Sequence, residues 1–104
     1  AFGVDALRHN TFGHENVATG TSSLYSNTTG NYNTANGFRS LLNNTIGNYN
    51  TSSGFYALLN NTTGNNNSAV GDSALLSNKT GNENCAFGIR ALYSDTASYN
   101  VGVG

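Results

Sequence analysis

Glycine recurs at Gly3, Gly20, Gly37, Gly54, Gly71 and Gly88, each 17 residues after the last, and this period constrains the fold more than any other feature of the chain. A short, strict repeat makes each copy one small structural unit. Such a unit buries its apolar residues only by stacking on its neighbours. A second glycine follows ten residues after each anchor, at Gly13, Gly30, Gly47, Gly64 and Gly81. In the last copy that slot holds Ala97 and one residue is missing, so Gly104 comes 16 residues after Gly88. Residues 1–104 therefore read as a single repeat array.

Other columns keep the same phase. Leucine stands four residues after every anchor, at Leu7, Leu24, Leu41, Leu58, Leu75 and Leu92. A small residue precedes it each time: Ala6, Ser23, Ser40, Ala57, Ala74 and Ala91. Asparagine fills two further columns. One runs Asn10, Asn27, Asn44, Asn61 and Asn78 and closes with Asp95; the other runs Asn16, Asn33, Asn50, Asn67, Asn84 and Asn100.

Seventeen residues are too few for two helices to fold back on each other. Two glycines and an Asn-Thr-Thr-Gly cluster in a typical copy would also break a helix. The length suits one turn of a β-solenoid, with two short strands and two bends. Asn33-Thr34-Ala35-Asn36-Gly37 alternates in side-chain character as a half-buried strand does. Gly and Asn in the bends tolerate positive φ. The expected fold is all-β, a parallel β-solenoid of about six turns forming a rod on the order of 30 Å long.

Stacking turns every 4.8 Å or so makes each column a row of like side chains. The leucine row and the alanine rows are the expected interior. The row from Asn16 to Asn100 is expected to hydrogen-bond amide to amide. Such a core is thin. It leaves over Leu42, Leu59, Leu76, Tyr25 and Tyr93, and also Phe38, Phe55 and Ile89, which follow anchor glycines. Association of several chains would bury them.

Charged residues are only 9% of the chain and the net charge is -1, so neither nucleic acid nor an anionic membrane is an expected partner. No apolar run approaches the roughly 20 residues of a membrane span. A single cysteine, Cys85, excludes an internal disulfide. It shares a column with Thr, Ser and Val and is expected to be a small buried side chain. The chain starts at Ala1, and its outermost turns carry no cap. It therefore reads as an excerpt of a longer protein, or as a unit that stacks end to end through Phe2 and Val103.

The stretch from Asn33 to Leu41, followed by Asn43-Asn44-Thr45-Ile46-Gly47-Asn48-Tyr49-Asn50-Thr51, resembles the repeat of many phage-type tail fibre proteins. Ser68-Ala69-Val70-Gly71 is similar, more loosely, to the strand motif in the heads of trimeric autotransporter adhesins, whose period is shorter. The resemblance covers the whole chain. It implies a homotrimer of parallel β-rolls and an extracellular, cell-surface or virion location.

Residues with reactive chemistry form no recognisable catalytic set. Neither a nucleophile elbow, nor paired carboxylates, nor a phosphate loop is present, so no catalytic residue and no cofactor is expected. His9, His14 and Glu15 lie close in sequence, but two imidazoles and one carboxylate without further ligand spacing read as surface residues rather than a metal site. Arg39 and Arg90 share a column with Asp5 and Tyr56 that is expected to face solvent, where it would meet a host glycan or receptor if the array binds one. Sequons at Asn27, Asn43, Asn50, Asn60, Asn61, Asn66 and Asn78 follow largely from the repeat itself. The expected function is a fibre-shaft or adhesin segment that builds length and presents a surface. The alternatives are a self-assembling extracellular filament and an ice-binding solenoid. The paired threonines such as Thr28-Thr29 count against the latter, because neighbours on a strand face opposite ways.

Overall fold

Each copy contributes one short strand whose middle residue is small and points inward. The computed structural model describes residues 1–104. Its strands are β1 (Val17–Thr19), β2 (Thr34–Asn36), β3 (Thr51–Ser53), β4 (Ser68–Val70), β5 (Cys85–Phe87) and β6 (Val101–Val103). They form one parallel sheet in sequence order. Pairing joins residues 17 apart, as in Ala18 with Ala35, until the last pair, where Cys85 meets Val101 at a separation of 16. The missing residue is thus absorbed in the bends before β6. Phe2 adds an isolated parallel bridge to Thr19. The molecule is a rod of 32 × 20 × 17 Å, an all-β parallel solenoid.

The second strand expected in each turn is absent. The reason lies in three columns that hold positive φ in every copy, represented in the third turn by Arg39 (55°), Leu41 (52°) and Tyr49 (57°). Left-handed residues cannot continue an extended strand, so the rest of each turn is a succession of tight bends. The turns still bond to one another around the whole circuit. Of 68 backbone hydrogen bonds only 10 lie within the strands, so the bends carry most of the ladder. Leu41 N–H, for example, donates to the Ala57 carbonyl one turn on at 3.0 Å, and Leu58 N–H to Ala74 at 3.0 Å.

Leucine in a left-handed conformation costs about 1–2 kcal/mol. Full burial of the side chain is worth about 1.5–3 kcal/mol, which offsets that cost. Leu24, Leu41, Leu58 and Leu75 are completely buried, and Leu7 and Leu92 at the two outer turns are half-buried. They pack with Ala18, Ala35, Ala69 and Ala86 from the strand centres and Ala57, Ala74 and Ala91 from the column before the leucine. The anchor glycines let the turns approach closely. At Gly37, with φ 130°, a Cβ would lie 2.7 Å from the Gly54 carbonyl oxygen, a distance no side chain tolerates.

Cys85 is exposed, contrary to the buried position expected for it. It is the first residue of β5, and the side chain that turns inward there is the next one, Ala86. Alternation along a strand then directs Cys85 and Phe87 outward.

Candidate functional site

Inside the rod the two asparagine columns do different work. The ladder in which amide meets amide is the column of Asn10, Asn27, Asn44, Asn61 and Asn78. Each Nδ2 donates to the Oδ1 of the preceding turn, at 2.8 Å for Asn27 to Asn10 and 2.9 Å for Asn44 to Asn27, Asn61 to Asn44 and Asn78 to Asn61. All five also donate to the glycine carbonyl three residues on, as Asn44 does to Gly47 at 3.0 Å. The ladder stops at Asp95, because a carboxylate has no N–H to pass back. Asn78 Oδ1 accepts instead from Asn84 Nδ2 at 3.3 Å.

The column from Asn16 to Asn100 bonds chiefly to backbone rather than amide to amide. Asn33 Nδ2 donates to the Gly47 carbonyl at 2.7 Å, and its Oδ1 accepts the Asn50 N–H at 2.9 Å. The same two bonds recur at Asn50 and Asn67, and Asn16 and Asn84 make their equivalents. One side-chain pair, Asn67 to Asn50 at 3.1 Å, lies within this column. Asn33, Asn50, Asn67 and Asn84 are buried, while Asn16 and Asn100 are half-buried. A third asparagine column, not singled out from the sequence, spans the turns nearer the surface: Asn31 Oδ1 accepts from His14 N–H, and Asn48 Oδ1 from Asn31 N–H. No buried side-chain nitrogen or oxygen is left without a partner. The interior polar groups are spent on the fold and leave nothing aimed at a ligand.

The side chains free to meet a partner are those on the outside. The columns on either side of the anchor glycine form a largely apolar ridge along the rod, interrupted by Thr19 and Thr21 in the second turn and by Asn36, Ser53 and Asp72 further along. Phe2, Val4, Phe38, Phe55, Val70, Phe87, Ile89 and Val103 occupy it and are all exposed, from 36% at Val70 to 82% at Phe2. These are half of the 16 large apolar side chains left in solvent, gathered in two columns of the repeat. The one charged residue among them is Asp72. Phe38 and Phe55 stack across adjacent turns with ring centroids 5.5 Å apart. On another face Tyr32 lies flat on Tyr49 at 4.8 Å, the strand spacing. Glu15 beside Tyr32 raises the phenol above its ordinary pKa, because a nearby negative charge opposes ionisation.

His9 and His14 pack against different neighbours. His9 packs edge-on against Tyr25, and His14 Nδ1 lies 3.9 Å from a Glu15 carboxylate oxygen. No three His, Cys, Asp or Glu side chains gather in one place. The column expected to face solvent does so only in part: Arg39 and Arg90 are exposed, Asp5, Ser22 and Tyr56 are half-buried, and Ser73 is buried. Between Asp5 and Arg39 the small side chain of Ser22 opens a surface groove of about 440 Å³, lined also by Tyr25 and Leu42, which follow one another in a neighbouring column. No helix is long and apolar enough to cross a membrane. No family model, curated protein or solved structure matches the chain.

Proposed function

We propose that the array is a length-building structural segment, a fibre shaft or adhesin stalk in an extracellular, cell-surface or virion setting, which associates laterally as a homotrimer. The observation that carries this reading is the apolar ridge. A strip running the length of a 32 Å rod is covered evenly only by another rod. A second copy has the same rise per turn, so its rows meet like rows throughout. The near absence of charge on the ridge removes like-charge repulsion between copies. Exposed apolar side chains gathered on one face in this way mark interaction sites on proteins. The tail-fibre and adhesin repeats that the sequence resembles support the same reading, as does an interior in which every polar group is spent on stacking.

The mass in solution, measured by light scattering, tests it. A trimer of the 10.8 kDa chain is expected, and Phe55→Asp should release monomers that keep the native circular dichroism. A monomer at concentrations of hundreds of micromolar would remove the reading. A continuous distribution of higher masses would favour the filament alternative instead. The threonine column gives the ice-binding alternative no support: the hydroxyls of Thr11, Thr28, Thr45 and Thr62 donate to carbonyls of the next turn rather than standing free.

A further inference from the structure

The groove lies at Ser22, which with Ser73 is one of two serines in a column whose other members are Asp5, Arg39, Tyr56 and Arg90. Asp5, Arg39 and Tyr56 fill the same position in neighbouring turns, and the serine between Asp5 and Arg39 leaves room that they would occupy. A volume of about 440 Å³ lies within the range of small-ligand sites. Its chemistry is uneven in a particular way. Asp5 is neutralised by Arg8 at 2.8 Å. Arg39 has no carboxylate partner: its guanidinium lies over the Phe38 ring at 5.1 Å, and its one side-chain bond is a long one of 3.4 Å to the Tyr56 hydroxyl. One uncompensated, preoriented cation therefore stands at one end of the groove. Tyr25, braced edge-on by His9 at 4.7 Å, and Leu42 in the same column one turn on supply an apolar wall. Ser22 and Asp5, also in the lining, offer oxygen acceptors.

We propose that this groove binds an acidic saccharide unit, a sugar ring bearing a carboxylate. The carboxylate would take the fork of Arg39, the geometry in which guanidinium binds most strongly. The C–H face of the ring would pack on Tyr25 and Leu42, and ring hydroxyls would donate to Ser22 and Asp5. A simple inorganic anion would use Arg39 alone and leave the apolar wall idle. A neutral sugar would leave the cation unpaired. The proposal deepens the adhesive part of the reading above and rests on it.

The test is saturation-transfer NMR on the intact chain with glucuronate, glucose and inorganic phosphate as probes. Glucuronate is expected to show saturable transfer, with glucose weaker by about tenfold or more, since a charge-assisted bidentate contact is worth at least that factor. Arg39→Gln should bring glucuronate down to the glucose level. Ser22→Tyr should abolish transfer by filling the groove, and the backbone accepts it, because Tyr56 holds the same column at the same φ of 59° as Ser22. If Ser22→Tyr does not fold, Tyr25→Ser removes the ring wall and should weaken both sugars. Absence of transfer from glucuronate, transfer unchanged in these variants, or full displacement by equimolar phosphate would each overturn the saccharide assignment. Light scattering on the same samples reads the shaft proposal separately, so a trimer without sugar binding rejects the groove alone.

Discussion

The side chain of Leu92 fills the space that a Cβ on Gly102 would need: such an atom would sit 2.5 Å from Leu92 Cγ and 2.9 Å from Cδ2. Gly102, the middle residue of the edge strand β6, pairs with Ala86, in the column that holds Ala or Ser in the five strands before it. The turn joining Leu92 to Gly102 is the one that lacks a residue, so the last leucine leans under a strand that has given up its methyl group.

Gly102→Ala is therefore expected to destabilise the chain by about 1–3 kcal/mol, the usual range for overpacking. Ala35→Gly in the same column should also destabilise, by leaving a gap rather than a clash. Thermal melts followed by circular dichroism would check both. An unchanged melting temperature for Gly102→Ala would mean that Leu92 swings aside freely and that the contact carries no constraint.

Leu58→Ala should cost about 2–5 kcal/mol, because the side chain is completely buried and alanine inherits the left-handed backbone without the compensating burial. Leu92→Ala should cost clearly less, since Leu92 is only half-buried. Urea denaturation of the two variants gives the comparison. Equal losses would contradict a graded core.

How much of this was readable from the sequence follows from the physics of each column. The phase of Gly37 and Leu41 and the alternation of Thr34-Ala35-Asn36 were enough for the solenoid and its parallel register. The number of strands per turn was not, because positive φ is rare for residues other than glycine and leucine has no side-chain acceptor to mark it. Leu41 at 52° looks in sequence like any core leucine. The outward direction of Cys85 was available, since the inward column of Ala18, Ala35, Ala69 and Ala86 fixes its neighbour as the outward one. The two asparagine columns looked alike in sequence. Their roles separate only through which carbonyl each amide can reach, which depends on the bends. The groove at Ser22 depends on residues 17 apart becoming neighbours and on a serine falling between Asp5 and Arg39, a pattern seen only once the columns are aligned.

Asn44→Ala should destabilise by more than the loss of one ordinary hydrogen bond. Asn44 Nδ2 donates to Asn27 Oδ1 and the Gly47 carbonyl, and its Oδ1 accepts from Asn61 Nδ2. The substitution leaves Asn27 Oδ1 buried without a partner, at a cost of about 1–3 kcal/mol for the orphaned group. Asn44→Asp should be worse, since it puts an unpaired carboxylate in the interior unless the group takes up a proton. Its stability should then fall further as pH rises above the carboxylate range. A flat pH profile for the aspartate variant would show that water reaches the ladder.

Glu15→Gln is expected to lower the titration midpoint of Tyr32 toward the ordinary phenol value of 10.0, since the Glu15 charge is the largest cause of the rise. The sign carries over to stability. A phenol whose folded pKa is raised stays protonated in the fold while the unfolded chain ionises, so its contribution is present below the unfolded value and lost as pH rises through the folded one. Both groups are exposed, so the effect should shrink in high salt. A titration of Tyr32 followed by NMR would check this, and a midpoint indifferent to Glu15→Gln would assign the shift to another cause.

The exposed left-handed column offers a stabilising change. Glu83 sits at φ 57° in solvent, and Asn66 holds the same column in the preceding turn at 58°. Asparagine tolerates this region better than glutamate and, unlike glycine, adds little freedom to the unfolded chain. Glu83→Asn should therefore raise stability by about 0.5–1 kcal/mol, a fraction of the roughly 1–2 kcal/mol that a left-handed residue costs. The backbone bond from Glu83 N–H to the Asn65 carbonyl is unaffected by the side chain. Leu75→Asn makes the matching control. Leu75 is also left-handed, at φ 51°, but completely buried, so the same relief is outweighed by the about 2–5 kcal/mol lost with the leucine. Denaturation midpoints should move in opposite directions for the two variants, and a shared direction would mean that backbone strain does not set the stability of these turns.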